Sequence, residues 1–178
     1  MLASPSSKET LITRESRIYA VVWSLVASVA LLIVIAIVAA PVALARGHAE
    51  FSEVIYQGFS YLCHQIPERS FHLAGHPFGV CSRCTGLYAG FAFATLALPL
   101  VRSLKRTDTP HVIWLLLSAV PLAIDFGLTY FGVWENNHVT RVITGALFGA
   151  VAAIYVVPGV IELSANFRQR ITSGPLGG

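Results

Sequence analysis

Apolar residues along this chain come in long unbroken runs. They do not alternate, and they do not keep to one face as in a water-soluble domain. The first run extends from Ile18 to Ala45 without a charged residue, and the second from Thr85 to Val101. The third runs from Val112 to about Trp134 and contains a single acid, Asp125, and the fourth covers Val142 to Ile161. A crossing helix needs about 17–25 mostly apolar residues. Backbone groups in lipid must pair within their own segment, so each run predicts a membrane-spanning helix. Between the first two runs, Phe51, Val54, Ile55, Phe59 and Leu62 recur at helical spacing, while Glu50, Glu53, Gln57 and Ser60 fall elsewhere. That pattern predicts a short amphipathic helix lying at the interface or capping the bundle.

The expected fold is therefore all-α. It is an integral membrane four-helix bundle with a short interfacial helix and an outward-facing Cys/His loop. The expected layout is a cytoplasmic tail over 1–17, a membrane domain over 18–161 with its outer loop at 46–84, and a second cytoplasmic tail over 162–178. Residues 1–16 read as a polar, mobile tail.

Composition sharpens this picture. Hydrophobic residues make up 55% of the chain and charged residues only 12%, against about 25% charged in a soluble domain. So little charge excludes a disordered chain, a nucleic-acid-binding module and an ordinary cytosolic enzyme. Lys8, Arg14, Arg17, Arg102, Lys105, Arg106, Arg168 and Arg170 flank one side of the spans, and Arg46, Arg69, Arg83 and Arg141 the other. The richer side is expected in the cytoplasm, which places the 46–84 loop outside the cell or inner membrane. Ala43-Leu44-Ala45 resembles a leader-peptide cleavage site, but the apolar run before it far exceeds a leader core of about 7–15 residues. A retained span is the expectation.

The outer loop carries the chemistry. All 3 cysteines of the protein lie in it, in Cys63-His64-Gln65-Ile66-Pro67-Glu68-Arg69-Ser70-Phe71-His72 and in Cys81-Ser82-Arg83-Cys84-Thr85-Gly86, with His76 between them. Thiolates and imidazoles are preferred ligands for zinc and other soft transition metals. The Cys81/Cys84 pair grips an ion from one turn, Cys63 arrives from the preceding segment, and His76, His72 or His64 completes a Cys3His set. His72 and His76 would share a face if that stretch were helical. His64, adjacent to Cys63, suits a supporting role. Two other readings of the cysteines stay open: a disulfide plus a free thiol, and a redox-active dithiol activated by a helix N-terminus and Arg83.

Asp125 inside a span calls for a partner, and Arg141 is the expected one, with Arg83 the rival. Arg69, Arg83, Arg141, His72, His76 and His138 gather at the outer rim, where an anionic group could bind unless Glu68 and Glu135 neutralise it. Asp125, Arg141, Arg69 and Arg83 are the candidate catalytic residues. Gly86-x-x-x-Gly90 and Gly145-x-x-x-Gly149 read as close helix packing, and Pro121 and Pro158 as helix kinks.

The run Cys63-His64-Gln65-Ile66-Pro67-Glu68-Arg69-Ser70-Phe71 and the run Val80-Cys81-Ser82-Arg83-Cys84-Thr85-Gly86-Leu87-Tyr88 together resemble the bacterial and archaeal membrane family called domain of unknown function 2085. So do Pro121-Leu122-Ala123-Ile124-Asp125-Phe126-Gly127, Asn136-Asn137, Arg141 and Thr144-Gly145, so the resemblance covers about residues 55–150. It implies a small polytopic membrane protein and supplies no reaction. The reading of the whole sequence is a membrane protein binding zinc, or another transition metal, on its outer face. Its expected partners are the bilayer and an anionic lipid-linked or small-molecule ligand. A homo-oligomer or a larger membrane complex is also expected among them, and nucleic acid is not. Two alternatives stand beside it: a membrane thiol–disulfide oxidoreductase coupled to a quinone, and a small accessory subunit of a membrane complex.

Overall fold

The computed structural model describes residues 7–104, 106–134 and 136–172. Its helices are α1 (Ser7–Ala45), α2 (Ala49–Ser60), α3 (Ser82–Val101), α4 (Ile113–Tyr130) and α5 (His138–Thr172). A two-residue hairpin, β1 (His72–Leu73) and β2 (His76–Pro77), lies between α2 and α3. Helices α1, α3, α4 and α5 are long and apolar enough to cross a membrane, and α2 is the short amphipathic helix. The chain is an all-α, multi-pass membrane protein. Leu25, Leu32, Phe93 and Leu116 are exposed, as lipid-facing side chains are.

Two helices outrun the apolar runs that predict them. Helix α1 begins at Ser7, within the stretch read as a mobile tail, and α5 continues past Ile161 to Thr172. Both extensions lack an interior proline, and the second is rich in helix formers such as Glu162, Leu163, Ala165 and Arg168. Hydropathy marks where lipid ends, and the helix does not have to end there. Lys105 and Glu135 lie outside the described residues.

Packing centres on α3 and α5, with α1 flanking α3 and α4 flanking α5. Because α4 carries the chain back, α3 and α5 run parallel, with Gly86 against Val142 and Gly90 against Ala146. Their contact is made by glycines from both sides. A Cβ at Gly86 would lie 2.3 Å from the Val142 carbonyl oxygen, one at Gly145 2.2 Å from the Arg83 carbonyl, and one at Gly149 2.0 Å from the Leu87 carbonyl. Both G-x-x-x-G motifs thus meet in one interface, and backbone rides on backbone.

Prolines inside the helices do a second job. Proline has no N–H, so each frees the carbonyl four residues earlier, and in lipid no water will satisfy it. Pro41 frees the Ile37 carbonyl, which accepts the Gly79 amide at 3.0 Å. Pro99 frees the Thr95 carbonyl, which accepts the Trp23 indole N–H at 2.8 Å. The first bond ties the loop between α2 and α3 to α1, and the second ties α1 to α3. Buried Ser52 adds another tie by donating to the Ala40 carbonyl at 2.8 Å.

Gly149→Ala should therefore force α3 and α5 apart, at about 1–3 kcal/mol. Gly127 has nothing within 4 Å of a built Cβ, and Gly127→Ala should be neutral or mildly stabilising. Thermal unfolding of the two variants in detergent checks this. Equal midpoints would mean the α3–α5 contact is not the tight one.

Candidate metal centre

The end of the bundle where α1 and α4 finish and α3 and α5 begin gathers all three sulfurs. Cys63 follows α2, and its amide is held by the Phe59 carbonyl at 2.9 Å. The side chain is buried against Ile37, Phe59 and Val80. Cys81 is the N-cap residue of α3, with an extended backbone (φ −66°, ψ 160°), and Cys84 lies one turn into that helix. The sulfur atoms of Cys63, Cys81 and Cys84 all lie within 4.8 Å of one another, and all three are free thiols. Ligands about 2.3 Å from one tetrahedral zinc would be about 3.8 Å apart. The donor chemistry and the spacing fit such an ion.

The backbone is arranged around Cys63. Its sulfur accepts the Cys81 amide at 3.3 Å and the Gln65 amide at 3.5 Å. These two bonds fix where the sulfur sits. Gln65 reaches this position only with a left-handed backbone, φ 49°, a conformation that costs a non-glycine residue energy. Its side-chain amide offsets that cost by donating to the Tyr56 carbonyl at 2.8 Å and the Gly79 carbonyl at 2.7 Å. Hydrogen bonding with Cys63, and next with Cys84, holds the Cys81 thiol far below the usual thiol range.

No histidine joins the sulfur group among the described residues. His72 and His76 lie on the hairpin, which corrects the helical reading of that stretch. Ala74 (φ 53°) and Gly75 (φ 82°) form its two-residue turn, the geometry that suits a tight hairpin. Leu73 pairs with His76 and His72 with Pro77. Paired residues share a face and neighbours alternate, so His72 and His76 point to opposite faces. His72 is exposed, with Nδ1 3.1 Å from the Ser70 carbonyl oxygen. His64 is exposed and lines the cavity beside the sulfurs. His138 bonds through Nδ1 to the hydroxyl of buried Ser82, which donates to the Arg69 carbonyl at 2.8 Å. Since that hydroxyl has one hydrogen, His138 supplies the proton of the other bond.

The predicted Asp125–Arg141 pair is not formed. Asp125 pairs with Arg83, whose guanidinium also sits 5.7 Å over the Phe126 ring. Arg141 instead donates through Nε to Asn136 at 2.6 Å, and Asn136 donates to the Asp125 carbonyl at 2.9 Å. Asn136 and Gln65 are positioning residues that the sequence reading missed. An amide carries no charge or spacing signal, so only the folded backbone reveals its partners.

A cavity of about 460 Å³ opens beside the sulfurs, lined by Cys63, Cys81, Cys84, His64, Arg69, Arg83 and Arg141 with apolar Leu62, Ile66, Phe126 and Tyr130. A second, smaller polar cavity of about 250 Å³ shares Arg69, Thr129 and Arg141 with it and adds Glu68, Asn136, Asn137 and His138. The candidate catalytic residues Arg69, Arg83 and Arg141 thus meet at the cysteines, with Asp125 behind Arg83.

Residues 63–155 match the family described as predicted membrane protein, domain of unknown function 2085. The chain belongs to this family. An uncharacterised protein of Methanocaldococcus jannaschii is 32% identical over 109 residues, covering 61% of this chain and 70% of that relative. Another, of Methanothermobacter thermautotrophicus, is 41% identical over 96 residues, covering 54% of this chain and 85% of that relative. No solved structure matches the chain. The family match begins at Cys63 and spans α3, α4 and the first half of α5, so it contains the three cysteines, Asp125 and the three cavity arginines.

Asp125→Asn leaves the Arg83 guanidinium half-sheltered with no counter-charge and should cost about 3 kcal/mol. The double variant Arg83→Met/Asp125→Leu, which removes both charges, should recover most of that loss. Unfolding midpoints in detergent measure both, and a double variant as unstable as the single one would contradict the pair's role.

Proposed function

We propose that this membrane protein holds one zinc ion through the thiolates of Cys63, Cys81 and Cys84. The adjoining cavity, lined by Arg69, Arg83 and Arg141, would hold an anionic ligand beside such an ion. The observation that carries this reading is the convergence of three free sulfurs within 4.8 Å. Thiolate donors select zinc and other soft transition ions over magnesium or calcium. Three protein donors plus one position for a ligand is the arrangement in which zinc polarises what it binds. The lysine and arginine bias supports an orientation with both termini in the cytoplasm and the cysteines on the outer side.

The depressed Cys81 thiol favours a second reading. A dithiol enzyme would oxidise Cys81 and Cys84 to a disulfide and reduce a membrane quinone to its quinol, with two electrons and two protons passing between them. The two readings differ in what the purified protein holds. Elemental analysis of the full-length chain in detergent should find about one zinc per chain, and Cys81→Ser should remove most of it. Alkylation with mass spectrometry should find all three cysteines reduced, and protected until a chelator is added. Metal-free protein carrying a Cys81–Cys84 disulfide would overturn the metal reading and support the dithiol one.

A further inference from the structure

Arg141 is only 8% exposed, yet it makes no ion pair among the described residues. Its one described side-chain hydrogen bond goes to the neutral amide of Asn136. A guanidinium taken out of water without a carboxylate is costly, and near a bilayer such a group usually faces a ligand or cavity. Arg141 lines both the sulfur cavity and the smaller polar one, and Arg69 lines both beside it. Among the described residues the sulfur cavity has no carboxylate in its lining, since Glu68 lines only the smaller cavity and Asp125 is bonded to Arg83.

Charge and surface narrow the ligand. With Asp125 neutralising Arg83, two arginine charges remain, and a zinc tris-thiolate carries one negative charge. Counted over the groups that line it, the sulfur cavity is left with a single positive charge, which suits a singly charged anion. Part of its lining is apolar and exposed: Leu62 is 67% exposed, Phe126 52% and Tyr130 74%. Arginine forks match phosphate oxygens in pairs, and exposed apolar walls at the end of a span match acyl chains.

We propose that Arg141 and Arg69 bind the phosphodiester of a membrane lipid, with the head group inside the sulfur cavity and the acyl chains along Leu62, Phe126 and Tyr130. This inference deepens the metal reading and rests on it for the charge balance. A phosphodiester without acyl chains offers the same head-group chemistry, so the experiment compares both sources.

The test is the unfolding midpoint of the full-length protein in zwitterionic detergent, with zinc content measured on every sample. Phosphatidylglycerol should raise the midpoint by about 5 °C. Phosphatidylcholine should not, and the deacylated glycerophosphoglycerol head group should give less than half the shift at equal concentration. Arg141→Gln and, separately, Arg69→Gln should lose most of the phosphatidylglycerol shift and keep the zinc. Arg69 is exposed and outside the helix packing, so its variant stands even if Arg141→Gln fails to fold. Arg46→Gln, at the end of α1, should keep the shift. Equal shifts with phosphatidylcholine, or a full shift retained in Arg69→Gln, would overturn the site. A full shift from the deacylated head group would overturn the lipid as its source. Zinc-free protein that still shows the arginine-dependent shift would sink the metal reading and leave the anion site standing, so the two failures are distinguishable.

Discussion

The close approach of α3 and α5 sets the position of everything at the sulfur end. Glycines at 86, 90, 145 and 149 let the two backbones touch, and because the helices run parallel, both N-termini come to the same end. Cys81, Arg83 and Cys84 ride on the first turns of α3, and His138 and Arg141 on the first turn of α5. A side chain at any of these glycines would separate the cysteine pair from Arg141 by the width of a methyl group or more. Apolar burial alone could not hold this register, because lipid is as apolar as the side chains it would displace.

The loop that brings Cys63 to the pair is held by polar bonds that the bilayer makes expensive to leave unmade. Pro41 strips Ile37 of its helical partner, and the Gly79 amide replaces it. The Gln65 side chain spans from Tyr56 to Gly79 and keeps its own backbone left-handed. Val80, fully buried between these ties and Cys81, fills the space that remains. The result is a loop whose ends are fixed to α1 and α3 and whose middle, the hairpin, stands clear of the sulfurs.

The spans, the short amphipathic helix, the glycine motifs and the membrane class are all legible in the sequence, because each rests on composition and periodicity over many residues. The convergence of the three cysteines is legible too, since their clustering in a short loop leaves few other geometries. What escapes is set by direction instead of spacing. His72 and His76 look like a helical pair, but Ala74 and Gly75 turn the chain back between them. Arg141 and Arg83 are equally placed in sequence to meet Asp125. The choice falls to Arg83 because Asn136 occupies Arg141 and bridges it to the Asp125 backbone instead. The helix ends are also illegible from hydropathy, since α1 and α5 continue as helices where the chain becomes polar.

The parallel pair also explains why thiolates and arginines can share one end. Each helix N-terminus contributes about half a positive charge, so the end where α3 and α5 both begin is positive before any side chain is counted. Arg69, Arg83 and Arg141 add to that field in a region screened weakly by water. At Cys81 the thiol is held low by hydrogen bonding with Cys63 and next with Cys84. A divalent ion can then enter only because several sulfurs give up their protons to it, and each added thiolate answers positive charge already present. Asp125 answers Arg83. The same geometry that gathers the sulfurs therefore sets Arg141 beside a cavity whose described lining holds arginines and no carboxylate.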